Sequence, residues 1–198
     1  MIKKSLAVIK KVLQKKPVLY VPLTPQHWDK QYKRGAWDSL IKTEYPNSVK
    51  IAQILISQVK PGEQILDYGC GNGGLVKDLN GHLKENYLGV DISQEAIKQA
   101  RENHPGYQFL EVSELKKHPQ KKIDHLVLCE VLYYVDYKKF LAEIQLRLKP
   151  NAQVIVSLYR AWRSTLIIQY LKKIMIFKET NKIKDPRTTW KVIIAKFK

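Results

Sequence analysis

Apolar residues along this chain recur with two different periods. Between residues 65 and 159 they gather in short runs of strand length: Ile65-Leu66, Tyr87–Val90, Tyr107–Val112, Ile123–Val131 and Ala152–Tyr159. Between those runs, over 93–103 and 136–148, they recur every three to four positions, the spacing of a helix with one buried face. Residues 47–58 read the same way, with Val49, Ile51, Ile54 and Leu55 on one side and Val59 just beyond. The unbroken run 123–131 suits a parallel strand covered on both faces. Strands alternating with helices at this spacing predict an α/β fold with a parallel sheet and right-handed crossovers. After residue 160 the alternation breaks. A helix is expected over 161–173, then strands over 174–179 and 189–197 joined by a polar turn around Asp185-Pro186.

The amino-terminal part has a different grammar. Ile2, Leu6, Ile9 and Leu13 fall at helical spacing, opposite Lys3, Lys4, Lys10, Lys11 and Lys15. This predicts a basic amphipathic helix over 2–16, suited to packing on the domain or to lying on an anionic membrane surface. Pro17, Pro22 and Pro25 mark an extended linker. Residues 27–45 are aromatic and irregular. Trp28 and Tyr32 lie four apart, on one helical face, Gly35 is placed to stop that turn, and Trp37 follows. Such aromatics fit a lid over a ligand or a cap on the sheet edge. The expected organisation is a helix and linker over 1–26 and one domain over 27–198. Within that domain, 27–60 are lid and helix, 61–160 the ligand-binding core, and 161–198 a helix and terminal strand pair.

Charge sharpens the division. The chain of 198 residues carries +17, and its middle is neutral. Residues 1–60 hold 12 Lys/Arg against 3 Asp/Glu, residues 61–150 hold 12 against 13, and residues 151–198 hold 11 against 2. Basic flanks around a neutral core suit an anionic substrate, nucleic acid or acidic lipid, or else simply solvated lysines. No apolar run reaches 18 residues, so no membrane span is expected. No signal-peptide pattern is read at the start. Cys70 and Cys129, in a turn and at a strand end, suggest a reduced, cytoplasmic protein without a disulfide scaffold. His82, His104, His118 and His125 show no metal-ligand spacing and are expected at the surface or in turns.

The chemistry centres on Ile65-Leu-Asp-Tyr-Gly-Cys-Gly-Asn-Gly-Gly74, a strand ending in a glycine-rich turn ahead of a helix start. The glycines at 69, 71 and 74 match a dinucleotide fingerprint. Asp67 argues otherwise: a carboxylate at that point repels a pyrophosphate and attracts a cation. Asp91 closes the next strand 20 positions beyond Gly71, where an acid grips ribose hydroxyls.

Asp67-x-Gly-x-Gly-x-Gly73 resembles motif I of the class I S-adenosylmethionine (SAM) dependent methyltransferases, and the resemblance extends over about residues 27–198. Residues 123–135 look like that family's motif after the third helix. Leu146-Arg-Leu-Lys-Pro-Asn resembles its leucine-x-proline-glycine turn, with Asn151 in the glycine's place as a residue that tolerates positive φ. The Trp28-Asp-x-x-Tyr32-x-x-Gly35-x-Trp37 segment and the Thr189-Trp-Lys-Val192 end are similar to small bacterial members acting on small metabolites, such as the nodulation N-methyltransferases. The resemblance implies a Rossmann-like, seven-stranded, mostly parallel sheet with helices on both faces and the last strand antiparallel.

It also implies roles. Asp67, Gly69, Cys70, Gly71 and Gly73 would hold the methionine end of SAM, Asp91 and Ile92 the ribose, and Glu111, Ser113 or Glu114 the adenine side. Trp28, Tyr32 and Glu130 would also line the cofactor. Trp37, Tyr159, Arg160 and Arg163 are candidates for the acceptor. Glu130, Tyr133, Tyr134 and His27 are candidates for a general base. The expected activity is methyl transfer to an O or N atom of a small, anionic or sugar-derived acceptor, with no metal. RNA methylation through the basic flanks is the alternative, and a non-catalytic SAM-binding or membrane-docked module a third. No Asp/Asn-Pro-Pro-Tyr string follows strand four, which disfavours base-amino DNA methylation, and Cys129 lacks a preceding proline.

Overall fold

Leu66, Leu126, Val154 and Val156 have no exposed surface, and neither do their chain neighbours Ile65, Val127 and Ile155. Successive strand residues point to opposite faces, so the central strands are covered on both sides. The computed structural model describes residues 23–115, 122–159, 162–186 and 188–198. The amphipathic segment expected over 2–16, Arg160 and His118 lie outside the described residues.

The elements run in chain order as follows. Helices α1 (Pro25–Lys33), α2 (Ser39–Lys42) and α3 (Pro46–Gln58) precede the sheet. Then come β1 (Ile65–Tyr68), α4 (Gly74–Leu79), β2 (Tyr87–Asp91), α5 (Gln94–Asn103), β3 (Gln108–Glu111) and α6 (Val112–Leu115). The second half holds β4 (Ile123–Cys129), α7 (Tyr137–Gln145), β5 (Leu148–Tyr159), α8 (Trp162–Ile174), β6 (Met175–Asp185) and β7 (Thr188–Phe197). The sheet has seven strands in the order β3-β2-β1-β4-β5-β7-β6. β1 pairs in parallel with β2 on one side and β4 on the other, while β7 runs antiparallel to both β5 and β6. The expected Rossmann-like sheet is therefore the observed one.

Two apolar clusters cover the two faces. Leu66, Leu126, Leu128, Val156 and Leu158 pack with Leu141 and Ile144 of α7 and Ile167 and Leu171 of α8. Ile65, Val127, Ile155 and Val192 pack with Ile51 and Leu55 of α3, Leu75 and Leu79 of α4 and Ile97 of α5. Each such fully buried side chain contributes about 1.5–3 kcal/mol relative to exposure.

Several boundaries differ from expectation for local reasons. β5 starts at Leu148, because Leu148 pairs with Ile123 across a register shift before His125 meets Gln153. Asn151 is therefore part of an extended strand and not a positive-φ turn residue; among the described non-glycine residues only Asn80, Leu83 and Glu130 have positive φ. α7 ends at Gln145, where Leu146 turns outward at 77 % exposure. β6 runs on to Asp185, its lysine-rich second half held by β7. His125 is buried within β4 rather than at the surface, where its Nε2 lies 2.9 Å from Glu63 Oε2 and its Nδ1 faces Gln153. The imidazole beside Glu63 holds that carboxyl below its usual range.

Candidate active site

In an open α/β sheet the ligand crevice lies at the carboxyl ends of the strands, where the strand order reverses. Here that point lies between β1 and β4, and the loops leaving them touch. A Cβ placed on Gly69 would collide with the Val131 side chain. The turn after β1 is clamped by its neighbour: Gly69 and Cys70 N–H both donate to the Val90 carbonyl, at 2.7 and 3.0 Å. Gly69, Gly71 and Gly73 have φ of +80°, +57° and +92°. At Gly71 the need for glycine is double, since an added Cβ would also lie 2.6 Å from Tyr32 Oη.

Two carboxylates bracket this turn. Asp67 is 2 % exposed; its Oδ2 accepts from Tyr87 Oη at 2.6 Å, and its Oδ1 has no hydrogen-bond partner. Burial pushes its pKa to about 7, against the lowering effect of the Tyr87 hydroxyl. Asp91 accepts from Gly71 N–H (3.0 Å) and Ser93 N–H (2.9 Å), one on each oxygen. Burial raises its pKa too, and those backbone donors oppose the rise. Asp91 thus fixes the glycine turn while keeping a lone pair on each oxygen. Ile92 beside it is 43 % exposed. Glu111 stands opposite Asp91 across β2 and β3, and Ser113 and Gln94 donate to its Oε2. Glu114 instead accepts from the Glu111 N–H, so its carboxylate closes the turn after β3.

The aromatic segment lies over the crevice. Thr24 caps α1 and Pro25 opens it. Gly35, at φ +73°, lets the chain turn back so that Trp37 stacks 5.8 Å from Trp28 and 6.4 Å from Tyr32. Trp37 Nε1 donates to Gln31, and Asn72 in the glycine turn donates to the Trp37 carbonyl. Trp28 meets Tyr134 edge-on at 5.0 Å. Asp29 Oδ1 accepts from Ser93 Oγ (2.6 Å) and Glu95 N–H (3.1 Å), pinning α1 to the start of α5.

The far wall is a polar cluster after β4. Glu130 sits at φ +61°, which turns its side chain back under β5. Its Oε1 accepts from Ser157 Oγ at 2.6 Å and its Oε2 from Tyr159 N–H at 3.1 Å. Asn47 Nδ2 donates to the same Ser157 oxygen at 3.0 Å. Burial raises the Glu130 pKa to about 7, in spite of the Ser157 hydroxyl and Tyr159 amide that favour its ionised form. Tyr133 is 2 % exposed; its hydroxyl meets Ser164 Oγ at 3.0 Å and donates to the Tyr159 carbonyl. Burial lifts that phenol far above the tyrosine range, so Tyr133 acts as a neutral brace. Tyr159 packs 4.7 Å from Tyr133 and is 39 % exposed. Arg163 lies 5.5 Å from the Trp162 ring.

The structure thus brings together Asp67, the glycine turn, Asp91, Trp28, Tyr32, Trp37, Glu130, Tyr133, Tyr134 and Tyr159. It does not bring in His27, which is exposed on α1 and hydrogen-bonded to Gln31 of the same helix. His104 stands in the turn that closes α5, as expected, but its ring packs against Gly73 and its Nε2 is buried without a hydrogen-bond partner. Sequence reasoning missed Asn47, Asp29, Asn72 and Ser157. Asp29 and Asn72 stand inside the quoted motifs without an assigned role, and Ser157 left a trace as a small hydroxyl residue within the apolar run of β5. A separate cavity of about 330 Å³, lined by Lys60, Pro61, Gln64 and Glu85 among others, lies at the amino ends of β1 and β2, away from this chemistry.

Fold and site together define a Rossmann-like α/β protein that takes a ligand across the β1–β4 switch point. Residues 59–195 match the family model described as "Methyltransferase domain". The chain is 28 % identical over 125 residues to cyclopropane-fatty-acyl-phospholipid synthase of Escherichia coli K12, covering 61 % of this chain and 33 % of the relative. It is 27 % identical over 165 residues to an uncharacterised protein of Methanocaldococcus jannaschii, covering 83 % of this chain and 62 % of that one. The chain therefore spans between a third and under two thirds of these relatives' lengths. Among solved structures, the N-methyltransferase NodS from Bradyrhizobium japonicum WM9, in complex with S-adenosyl-L-homocysteine, superposes with a TM-score of 0.66 at 14 % identity, over 86 % of this chain and 98 % of that one. Magnesium protoporphyrin IX methyltransferase from Synechocystis PCC 6803, with bound SAM, gives 0.59 at 17 % identity, over 86 % and 95 %. The chain belongs to the methyltransferase-domain family, with the class I SAM-dependent fold.

The residues present fit SAM. The unpartnered buried Asp67 Oδ1 is an acceptor suited to a cationic donor, and the glycine turn leaves no room for side chains where a ligand must approach the main chain. Among the described residues no cluster of His, Cys, Asp and Glu could hold a metal ion.

Proposed function

We propose that this protein transfers the methyl group of SAM to an oxygen or nitrogen atom of a small, anionic or sugar-derived acceptor. The cofactor supplies an activated methyl on a sulfonium, so the protein's task is to orient the acceptor, exclude water and take up a proton. The observation that carries this reading is the wall formed by Trp28, Trp37, Tyr134 and the Glu130 cluster. One short helix carries Tyr32 to the glycine turn and Trp28 to Tyr134, on the loop that follows Glu130.

In this reading Asp67 attracts the cationic end of SAM and Asp91 holds the ribose while bracing Gly71. Trp28 and Trp37 keep water out. Glu130 takes the proton released by the acceptor's hydroxyl or ammonium, helped by a pKa near 7. Ser157 and the Tyr159 amide orient its carboxylate, and Asn47 orients Ser157. The likeness to NodS, an N-methyltransferase by its name, is a likeness of fold and agrees with methyl transfer to nitrogen.

The test is to incubate the protein with methyl-labelled SAM and an extract of the source cell, then separate nucleic acid, protein, lipid and small soluble fractions. Label in the small soluble or glycan-lipid fraction supports the reading. Nuclease-sensitive label overturns it in favour of RNA methylation through the basic flanks.

A further inference from the structure

β7 is an interior strand, flanked by β5 and β6. Lys191 on it is nevertheless exposed, and its register partner on β6 is another exposed lysine, Lys182. Like charges directly opposite across a strand pair destabilise the sheet. A lysine on β6, the edge strand, guards against edge-to-edge association. That accounts for Lys182 but not for Lys191, which has a strand on both sides. Nor does Glu179 relieve the pair. Glu179 is in register with Ile194, which points to the opposite face from Lys191.

The pair sits at the carboxyl end of the sheet. Lys191 is in register with Leu158 of β5, one residue before Tyr159. The same face carries α8, whose Ile167 and Leu171 pack with Leu158 and Ile193. The first turn of α8 adds Arg163, which stacks on the 57 % exposed Trp162 and whose positive charge acts on the Tyr134 hydroxyl. Arg163 and the exposed Trp162 and Tyr159 thus lie at the carboxyl end of β5, and Lys191 and Lys182 continue that end of the sheet one and two strands further out.

We propose that Lys182, Lys191 and Arg163 form a subsite for the phosphoryl group of a small phosphorylated acceptor, directing the rest of that acceptor toward Tyr134, Tyr159 and Glu130. This rests on the methyltransferase reading above and names its substrate class. A carboxylate would neutralise one of the three cations. A phosphate ester brings close to two charges and three acceptor oxygens, enough to engage two ammonium groups and one guanidinium together.

The experiment uses the full chain and two probes, inorganic pyrophosphate and glucose 1-phosphate, titrated by calorimetry with S-adenosyl-L-homocysteine present. The variant is Lys182→Gln/Lys191→Gln; the control is Lys98→Gln/Lys122→Gln, which removes the same charge from exposed positions elsewhere. The expected result is phosphate binding by the wild type and the control, weakened about tenfold or more in the first variant. That variant should melt no lower than wild type, because a like-charge pair has been relieved. Equal weakening in both variants would overturn the proposal, since the binding would then be diffuse. Tighter binding to vesicles containing 30 % phosphatidylglycerol, or to a short RNA, lost in the same variant, would also overturn it by assigning the cations to a polyanionic surface. Failure of the wild type to bind S-adenosyl-L-homocysteine would refute the methyltransferase reading itself, a result separable from the phosphate titration.

Discussion

Asp67 is buried and Glu130 half-buried, both carboxyls have pKa values raised to about 7, and their consequences differ. Glu130 must be ionised to accept a proton, so turnover should rise with pH through about 7. Ser157→Ala removes the hydroxyl that favours the ionised form, and the midpoint of that rise should move to higher pH; Glu130→Gln should abolish it and lower kcat by about 10²-fold or more. A pH–rate profile checks both. For Asp67 the folded pKa lies above the unfolded value, so between about pH 4 and 7 the native state binds more protons than the unfolded chain. Stability therefore falls as pH rises across that window, by an amount of the order of a few kcal/mol. Asp67→Asn keeps the Tyr87 partner without the charge. It should melt higher than wild type at pH 8, match it only below about pH 4, and bind SAM more weakly. At this scale Asp67 and Asp91 were legible because each ends an apolar run, and Glu130 because it follows one. Asn47 was not legible: its partner Ser157 lies 110 positions away, and only the packing of α3 on β5 brings them together. His125 was misjudged for a related reason, since Glu63 and Gln153 supply its partners from neighbouring segments.

Among the elements, α1 rests on little of its own. Its covering position depends on ring contacts, on one Asp29 oxygen that receives two hydrogen bonds from the start of α5, and on the Tyr32 carbonyl, which accepts from Gln99 of the same helix. Removing a capping carboxylate costs about 1 kcal/mol, and here the loss falls on the lid. Asp29→Ala should speed amide exchange over residues 25–37 while leaving β1, β4 and β5 as protected as in wild type. Strands of the core were readable from composition: β2 was expected to end at Asp91 and does. The second half of β6 was hidden, because Lys-Glu-Thr-Asn-Lys-Ile-Lys reads as a polar loop until β7 supplies its ladder. β5 was foreshortened because Lys149-Pro150-Asn151 imitates a turn that the register shift against β4 draws out straight.

At the scale of the molecule, the parallel sheet, its two covered faces and the antiparallel insertion follow from the order of apolar runs, whereas the acceptor side follows from pairings that no local pattern encodes. The charge of +17 sets a further expectation. Self-repulsion of this size is screened by salt, so the melting temperature should rise between 20 and 300 mM sodium chloride, in contrast to a protein held by surface ion pairs. A scan at fixed pH decides this.

The placement of α1 carries one more consequence. Tyr32 lies on the glycine turn and Trp28 lies on Tyr134, so the same helix shuts the cofactor's door and the acceptor's. Under the proposed function, release of spent cofactor requires that helix to lift, and an acceptor seated beneath Trp28 would hold it down. The enzyme should therefore slow at high acceptor concentration, jammed by its own substrate, and Trp28→Ala should relieve the jam at the expense of apparent affinity.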